Sequence, residues 1–343
     1  MKQKYLLLAD GSSPHILKWV KELVLYFDVY LISLNGTIAE ISEYINKDNI
    51  YILNEHADAT GGNYKLIFKL PQIRKLITQI EPDYINAHYL SSYGFLGALS
   101  KSSAHSTVFI QSTWGSDVLV EPFSNFIRKK IAKFALKKAD FVTSDSCYMA
   151  DVIHQLVGDK EVAVFPFGLE IIEACKAEKE KLIFSNRALK IFYNIDNIIE
   201  WFAKQPSEYR LIIANEGTEK KKLEHLVNGL HISNRVQFVG YLSDEEQKAL
   251  YQKAKYYISI PDSDATSVSL LEAMQYGAIP IVSNIPANRE WILDGVNGIY
   301  FDSNKKLDEI KVEEDFAKIN QNILKNKALF TKSIKDFVAK VTK

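Results

Sequence analysis

Short apolar runs alternate with segments of helical periodicity along almost the whole chain. From residue 15 onward, Ile16, Val20, Leu23 and Phe27 recur at the spacing of one helix face. In the first half this pattern predicts strands at 5–9, 29–33, 84–87, 107–110, 141–143 and 162–165, and helices at 15–26, 72–80, 94–100, Phe126–Lys138 and 146–156. Strands interleaved with helices of this length indicate βαβ units and a mainly parallel, doubly wound sheet.

The alternation starts again after a charged, poorly periodic segment at 169–180. It predicts strands at 209–214, Val236–Gly240, 256–261 and 279–283, and helices at 195–202, 220–228 and 267–276, with one more opened by the capping box Ser243-Asp244-Glu245-Glu246. We therefore expect an α/β protein with two Rossmann-like halves. The N-terminal domain should span 1–170 and the C-terminal domain 171–325, with a helical tail, about 326–343, crossing back onto the first domain.

Composition excludes several classes of protein. The chain has 343 residues, with 42 Lys and Arg against 42 Asp and Glu, and this zero net charge argues against a nucleic-acid binder. Its apolar runs are far shorter than the roughly 20 residues of a membrane span, and its start resembles no signal peptide. Two cysteines, Cys147 and Cys175, form neither a disulfide framework nor a zinc site. We expect a soluble, cytoplasmic protein.

In open α/β sheets, ligands bind at the carboxyl ends of the strands, so the turns that follow strands are the places to search. The chain contains neither G-x-G-x-x-G nor G-x-x-x-x-G-K-[ST]. A dinucleotide-dependent dehydrogenase and a P-loop nucleoside triphosphatase would both lack their usual phosphate-binding loop, which argues against these two classes.

The turn PDSDATSVSLLE at 261–272 is the most informative. A strand ends there in acidic and small residues, and a helix begins near Ser267 with amides that would point at an anion or a hydroxyl. Asp264 and Glu272 could then face one cleft. The alternative is that Asp264 only caps the helix while Glu272 is a solvated surface residue.

Residues 263–292, SDATSVSLLEAMQYGAIPIVSNIPANREWI, strongly resemble the nucleotide-sugar signature of the retaining, GT-B glycosyltransferases of family 4. That signature is an acidic residue, seven others and the Glu of Glu-Ala-Met, here Asp264 to Glu272. Other family landmarks follow in the same order: INAHY (85–89), STWGSD (112–117), KKADFVTSDS (137–146), VFPFGLE (164–170) and VQFVGYLSDEEQKALYQKAKYYISIP (236–261). The resemblance implies a GT-B fold, two Rossmann-like domains with a cleft between them.

The resemblance also implies a donor site. Glu272 would accept hydrogen bonds from the ribose hydroxyls, and Asp264 would meet hydroxyls of the transferred sugar, where the family usually has Glu. Arg187 would bind the diphosphate, unless it is an ordinary surface arginine. Weaker assignments to the donor site are Gly11, Lys190, Asn215, Leu242 and the amides of Thr266, Ser267 and Val268. Phe192 stands where the family has its phosphate lysine, so Lys190 is only a neighbouring substitute.

In the first half, His88 matches the family histidine near the transferred sugar, and joins Arg187, Asp264 and Glu272 as the predicted catalytic set. Ser13, His15 and Asp117 are assigned to the acceptor side, although Asp117 could simply close a turn. Trp114 stands where the family often has histidine. It would either stack on a sugar or be a buried tryptophan.

Two motifs remain. Asp262-Ser263-Asp264 spells the D-x-D metal motif of the other large glycosyltransferase fold, but it lies inside a different signature, so we expect no required metal.

Phe126–Lys138 contains six Lys and Arg and no acid, as in a helix that touches an anionic membrane. The alternative is a Rossmann helix. We expect its apolar stripe, Ile127, Ile131 and Phe134, to pack on the sheet while its lysines stay solvated.

The resemblance implies a hexosyl-type retaining glycosyltransferase that moves a sugar from a UDP- or GDP-sugar to a saccharide or lipid-linked saccharide. The leaving diphosphate itself accepts the acceptor proton, so no enzyme nucleophile is required. We expect no required cofactor, with the positive charge supplied by Arg187 and the helix-start amides. Many Lys, Ile and Asn residues suggest a bacterial source, with surface polysaccharide or glycoconjugate synthesis as the setting and the inner membrane face as a possible location. Two alternatives remain open: a catalytically silent scaffold or partner subunit, and a nucleotide-sugar epimerase.

Overall fold

The computed structural model describes residues 2–55, 64–101, 107–170 and 177–342. The chain divides into two compact units. The first comprises Met1–Phe167 together with Phe330–Lys343, and the second Gly168–Leu329. The chain thus passes between units after residues 167 and 329, against the 170 and 325 expected from the sequence. Cys175 lies outside the described residues, and Cys147 is exposed and not in a disulfide.

The first unit contains a seven-stranded parallel sheet in the order β3-β2-β1-β4-β5-β6-β7. Its strands are β1 (Lys4–Leu8), β2 (Asp28–Ser33), β3 (Ile50–Ile52), β4 (Tyr84–His88), β5 (Val108–Ser112), β6 (Phe141–Ser144) and β7 (Val162–Val164). Because β1 lies between β2 and β4, the strand order reverses there. The carboxyl ends of β1 and β4 are therefore the topological switch point of this sheet.

Helices cover this sheet, and the periodicity predicts five of them. The helices are α1 (Pro14–Leu23), α2 (Ile41–Tyr44), α3 (Leu70–Ile80), α4 (Phe95–Ser100), α5 (Ser116–Leu119), α6 (Glu121–Ser124), α7 (Phe126–Lys138) and α8 (Cys147–Val157). The four-residue helices α2, α5 and α6 were not predicted. A π-helical turn, Tyr89–Gly94, joins β4 to α4, and short 3-10 turns lie at Lys47–Asn49 and Tyr64–Lys69. The predicted face of α1 is buried, and Trp19 extends it.

The expectation for α7 is wrong in one respect. The residues that α7 buries are Ala132, Ala135 and Leu136, while Ile127 is 58% exposed. Small alanines allow this face of the helix to approach its neighbours closely, whereas the larger residues of the predicted stripe lie at its edge. The apolar stripe is thus only partly used for packing.

The second unit contains a six-stranded parallel sheet in the order β10-β9-β8-β11-β12-β13. The strands are β8 (Glu180–Ser185), β9 (Arg210–Ala214), β10 (Val236–Gly240), β11 (Ala254–Ser259), β12 (Ile279–Val282) and β13 (Ile299–Tyr300). The helices are α9 (Ile195–Ala203), α10 (Lys220–Gly229), α11 (Asp244–Lys253), α12 (Val268–Gln275), α13 (Pro286–Arg289) and α14 (Phe316–Lys327), with 3-10 turns at Ile191–Tyr193 and Leu307–Glu309. The order reverses between β8 and β11, which sets the switch point of this sheet.

The predicted helical tail, about 326–343, contains the last helix and only the end of the helix before it. That preceding helix, α14, packs on α12 within the second unit. The last helix, α15 (Phe330–Val341), packs in the first unit, where Phe330 and Phe337 lie with their ring centroids 5.8 and 6.3 Å from that of Trp19. None of the helices in the described part of the chain has the length and apolar composition needed to cross a membrane.

Candidate functional site

Arg187 and Asp264 meet at the switch point of the second sheet. Arg187 follows β8 by two residues, and Asp264 lies in the loop after β11. The Nη2 atom of Arg187 is 2.9 Å from Oδ2 of Asp264. The Nη1 atom of the same guanidinium donates to the Ser267 hydroxyl at 2.7 Å. The guanidinium also lies 4.5 Å from the ring centroid of Tyr193. The fold thus brings together two residues that are far apart in sequence.

Arg187 is not an ordinary surface arginine, because only 12% of its side chain is exposed. Burial alone would lower the pKa of the guanidinium, but the neighbouring Asp264 carboxylate outweighs it and raises the pKa above its ordinary value. The positive charge is therefore permanent. A planar fork of this kind suits phosphate oxygens.

The start of α12 lies beside this arginine. Ser267 is the N-cap, and its hydroxyl accepts from the amide of Leu270 at 3.3 Å, so the alternative that Asp264 caps the helix is wrong. Thr266 and Ser267 are buried, and Val268 is the first helical residue. The first amides of a helix have no intrahelical acceptor and attract negative charge. The cap therefore adds to the positive field of Arg187.

Glu272 lies further along α12 and is half-buried, so it is not a solvated surface residue. Its Oε2 accepts a hydrogen bond from the Tyr251 hydroxyl at 3.0 Å. Tyr251 in turn accepts from Asn186 at 2.8 Å, one residue before Arg187. Burial, followed by the Glu272 charge, raises the pKa of Tyr251, so the phenol stays protonated and donates. This network fixes the carboxylate that the sequence assigns to the ribose.

The weaker donor-site assignments lie around this group. Asn215 adopts a left-handed φ of +83° and donates to the Asn186 carbonyl at 3.1 Å. Leu242 is half-buried and packs on the core. Lys190 is exposed, and within the described residues its side chain makes no hydrogen bond or ion pair with the Arg187 group. Its role stays a prediction.

Gly217 shows why the turn after β9 needs glycine. A Cβ at this position would lie 2.2 Å from the Leu189 carbonyl oxygen. The amides of Leu189 and Glu219 also bond across these two loops. The loop that carries Arg187 is therefore held against the loop after β9, and its backbone is fixed from both sides.

The predicted residues of the first half lie at the other switch point. Gly11, Ser13 and His15 follow β1, and His88 ends β4. A Cβ on Gly11 would lie 2.7 Å from the carbonyl oxygen of Gly36, so glycine is required for this approach. Ser13 is the N-cap of α1, and its hydroxyl accepts from the amide of His15 at 3.3 Å.

His88 is buried, and its Nδ1 lies 3.1 Å from the indole nitrogen of Trp114. Because an indole N–H only donates, Nδ1 accepts, and a neutral His88 carries its proton on Nε2. Burial lowers the pKa of His88 to about 3, so the ring is neutral at physiological pH. Within the described part of the chain, its Nε2 is buried without a hydrogen-bond partner. His88 is thus a neutral donor at a strand end.

Asp117 closes a turn. It is 1% exposed, and its carboxylate accepts from the amides of Trp114, Gly115 and Leu90 at 2.9–3.0 Å. Burial raises the pKa of Asp117 to about 6, although the three amides act in the opposite direction. The turn-closing alternative therefore describes Asp117. Because its carboxylate is not exposed, the structure does not support its assignment to acceptor hydroxyls. Trp114, whose indole is half-buried, is held on the same turn.

The carboxylates of the D-x-D sequence are engaged elsewhere. Asp262 accepts from the Asn194 amide at 2.7 Å, and Asp264 pairs with Arg187. Within residues 2–55, 64–101, 107–170 and 177–342, no group of three His, Cys, Asp or Glu side chains could hold a metal ion. That no metal is required stays a prediction.

Two family models match the chain, the one described as glycosyl transferase 4-like over residues 4–146 and the one described as glycosyl transferases group 1 over residues 169–328. The chain belongs to the glycosyltransferases. An uncharacterized glycosyltransferase of Methanocaldococcus jannaschii is 24% identical to it, over 95% of this chain and 93% of that protein. The alpha-monoglucosyldiacylglycerol synthase of Acholeplasma laidlawii is 21% identical, over 71% of this chain and 69% of that enzyme. The predicted enzyme class is confirmed.

Solved structures show the fold of this glycosyltransferase. The sucrose-phosphate synthase of Thermosynechococcus elongatus superposes with a TM-score of 0.80 at 12% identity, covering 99% of each chain. The Anabaena protein HepE in complex with UDP gives a TM-score of 0.77 at 15% identity, covering 100% of each chain. The predicted GT-B fold class is confirmed.

Sequence reasoning missed the residues that support the site. Tyr251, Asn186 and Tyr193 were not assigned, because nothing in their local spacing shows which side chain they reach. One usable signal was present for Asn186: it directly precedes Arg187 on the first turn after a strand, where residues that support a site are expected.

Proposed function

We propose that this glycosyltransferase is a retaining enzyme of family 4 that transfers a hexosyl group from a UDP- or GDP-sugar. The observation that carries the proposal is the Arg187–Asp264 pair beside the start of α12, at the switch point of the second sheet. A fixed guanidinium and helix-start amides are the groups that stabilise charge on a leaving diphosphate. UDP is the favoured nucleotide of the donor, because the HepE structures contain UDP and UDP-glucose.

In the proposed reaction Glu272, held by Tyr251, binds the ribose, and Asp264 accepts hydrogen bonds from the transferred sugar. The bond between the sugar C1 and the diphosphate breaks as the acceptor oxygen bonds to C1 from the same face. The acceptor proton passes to the departing diphosphate oxygen, so no enzyme nucleophile is needed. His88 donates from Nε2 to a sugar hydroxyl.

The proposed acceptor is a saccharide or a lipid-linked saccharide, in the synthesis of a surface polysaccharide or glycoconjugate. One relative is named for synthesis of a glucosyl diacylglycerol, which supports a lipid-borne acceptor. The basic helix α7 would contact an anionic membrane, each lysine near the surface contributing about 1 kcal/mol. The enzyme would act in the cytoplasm, at the inner membrane face.

A thermal-shift screen against UDP, GDP, ADP, CMP and the common UDP- and GDP-sugars tests the donor site. One nucleotide should raise the Tm of the wild type and leave that of Glu272→Ala unchanged. The anomeric configuration of the product, read from its NMR coupling constants, tests retention. No shift with any nucleotide at millimolar concentration would contradict the proposal and favour a silent partner subunit.

A further inference from the structure

The first unit contains an apolar cavity of about 420 Å³. It lies between the π-helical turn Tyr89–Gly94, α4 and α7, and a volume of this size is typical of small-molecule sites. Apolar side chains form most of its wall: Leu66, Ile67, Phe95, Leu96, Ile127 and Ile131.

Two polar atoms in this wall are buried without a hydrogen-bond partner among the described residues, Ser91 Oγ and Glu121 Oε2. Glu121 is only 5% exposed, and its other oxygen accepts from the Tyr89 hydroxyl at 2.7 Å. A buried, unpaired carboxylate oxygen is costly in a folded protein. A ligand hydroxyl that donates to the Glu121 carboxylate and accepts from the Ser91 hydroxyl would satisfy both atoms.

The cavity lies near the predicted reaction centre of its unit. Ser91 is three residues after His88, so the two residues are at most about 11 Å apart along the chain. Glu121 belongs to the segment after β5, the strand next to β4. The site is thus at the carboxyl end of the sheet, where doubly wound folds bind substrates.

Exposed apolar residues lie in and next to the segments that line this cavity. Of the fourteen large apolar side chains exposed in the described part of the chain, Ile67 and Ile127 line the cavity, and four more are within two residues of a lining residue: Phe68, Val120, Phe123 and Phe126. We call these six residues the rim. Phe68 is 81% and Phe126 69% exposed. A cluster of this kind marks an interaction surface rather than the normal scatter of exposed residues.

Positive charge accompanies the rim. Lys130 lies 4.5 Å from the ring centroid of Phe126, and Lys129 lies 5.8 Å from that of Phe123. α7 carries six basic and no acidic residues. Aromatic side chains beside lysines match a bilayer surface of anionic lipids, in which rings enter the acyl boundary and ammonium groups meet phosphates.

We propose that the cavity binds the hydrocarbon chain of a neutral, hydroxyl-bearing membrane lipid as the acceptor, while the rim rests on an anionic bilayer. This rests on the proposed function and names its acceptor class. Glu121 and Ser91 accept and donate hydrogen bonds with the lipid hydroxyl. Arg128 also lines the cavity but is only half-buried, whereas Glu121 is buried. The Glu121 carboxylate therefore repels a phosphate or carboxylate at the position of the hydroxyl, so a hydroxyl is selected there.

Matched ten-carbon ligands test the cavity, with decan-1-ol and decanoate displacing a fluorescent long-chain alcohol at pH 8. The wild type should bind the alcohol at least about tenfold more tightly than the carboxylate, and Glu121→Gln should reduce this ratio to below about threefold. Ile127→Trp should weaken both ligands by filling the mouth, whereas Leu25→Trp, equally exposed in the same unit, should not. Failure of decan-1-ol to bind, or an unchanged ratio in Glu121→Gln, would overturn the proposal.

Flotation with vesicles of phosphatidylglycerol and phosphatidylcholine tests the rim. Phe126→Ser should reduce binding at least about fivefold, and Leu293→Ser, an exposed apolar residue of the second unit, should leave it unchanged. Equal loss in both variants, or in neither, would overturn the bilayer contact. None of these measurements needs a sugar donor. A UDP-dependent Tm shift without alcohol binding would therefore reject the cavity alone, and alcohol binding without transfer would reject the proposed function alone.

Discussion

The guanidinium of Arg187 lies 2.9 Å from the carboxylate of Asp264, 77 residues further along the chain. The pair joins the segments that follow β8 and β11 at the switch point of their sheet. Asp is one methylene shorter than the Glu usual in the family, and here its carboxylate meets the arginine. A donor diphosphate would have to share Arg187 with Asp264.

Asp264→Asn should separate binding from transfer. Without the competing negative charge, the affinity for UDP should rise about fivefold, because a partly exposed ion pair contributes about 1 kcal/mol. Transfer should fall at least about tenfold, since a charged acceptor for the sugar hydroxyls is lost. Calorimetric titration with UDP and initial rates with the UDP-sugar measure the two effects. Weaker UDP binding in this variant would show that Asp264 supports the diphosphate site instead of competing with it.

Arg187→Ala should reduce kcat by about 10²–10³, the usual cost of removing one donor that stabilises leaving-group charge. Arg187→Lys should recover only part of this loss, because an ammonium cannot hold the carboxylate, the Ser267 hydroxyl and a phosphate in one plane. Arg210→Ala is the matched control: its guanidinium pairs with Glu180 but is 59% exposed, so its removal should leave kcat unchanged. Similar rates for Arg187→Ala and Arg210→Ala would remove Arg187 from the reaction.

Tyr251→Phe tests whether the Glu272 carboxylate must be held. Loss of its hydrogen-bond donor should weaken UDP binding about fivefold, while Glu272→Ala should abolish the nucleotide-dependent Tm shift. Glu224→Ala, which removes an exposed carboxylate on α10, is the control for the loss of one negative charge in this unit. A wild-type UDP affinity in Tyr251→Phe would mean that Glu272 is oriented by other contacts.

Periodicity was enough to predict the fold class, because most strands and helices lie in continuous apolar patterns. The capping box at Ser243 and Glu246 forms as predicted. β8 was missed, since its first residues are charged and only its last four are buried. The edge strands β3 and β13 were also missed, because runs of three and two residues give only a weak pattern, although the equally short β7 was predicted.

The candidate site could be predicted only in part. The signature supplied Asp264 and Glu272, and the strand order explains why their segments meet. The partners that hold them, Tyr251 and Asn186, come from other elements, so tertiary packing decides their identity. For α7, sequence could not show that Ala135 rather than Ile127 would face inward, because helix orientation depends on what each neighbour can accommodate.

The buried histidines of the first unit predict a loss of stability in acid. Burial lowers the pKa of His88 to about 3 and of His15 to about 4, from 6.5 in the unfolded chain. The unfolded state therefore binds more protons below pH 6.5, and the free energy of unfolding falls as the pH drops towards 4. The pKa of Asp117, about 6, exceeds its ordinary 3.8. Between pH 6 and pH 4 the folded state therefore binds up to one more proton at Asp117 than the unfolded state, which offsets part of this loss of stability.

His15→Phe should therefore reduce the loss of stability between pH 6 and pH 5 by up to about 1.4 kcal/mol. Denaturant unfolding at both pH values, with His225→Phe as the control histidine in the second unit, measures the difference. An unchanged pH dependence in His15→Phe would show that this histidine titrates alike in the folded and unfolded states.

Trp114 occupies a position where the family often has histidine, and its indole N–H donates to Nδ1 of His88 at 3.1 Å. This bond keeps the His88 proton on Nε2. Trp114 is therefore a positioning residue, and His88 remains the group that donates to the sugar. Trp114→Phe keeps the aromatic packing against His15 and Phe167 but removes the bond. Nitrogen NMR of the His88 ring should then show a mixture of the two neutral tautomers.

The kinetic consequence separates this role from simple packing. In Trp114→Phe, kcat should fall about twofold, since with comparable populations of the two tautomers the Nε2 donor near the sugar is present about half of the time, while the Kd for UDP stays unchanged because its predicted site is in the other unit. Trp114→His can donate from a ring nitrogen and should recover most of the rate. A fall in kcat without a change in the His88 tautomer would assign the effect to packing, and a single Nε2 tautomer in Trp114→Phe would contradict the positioning role.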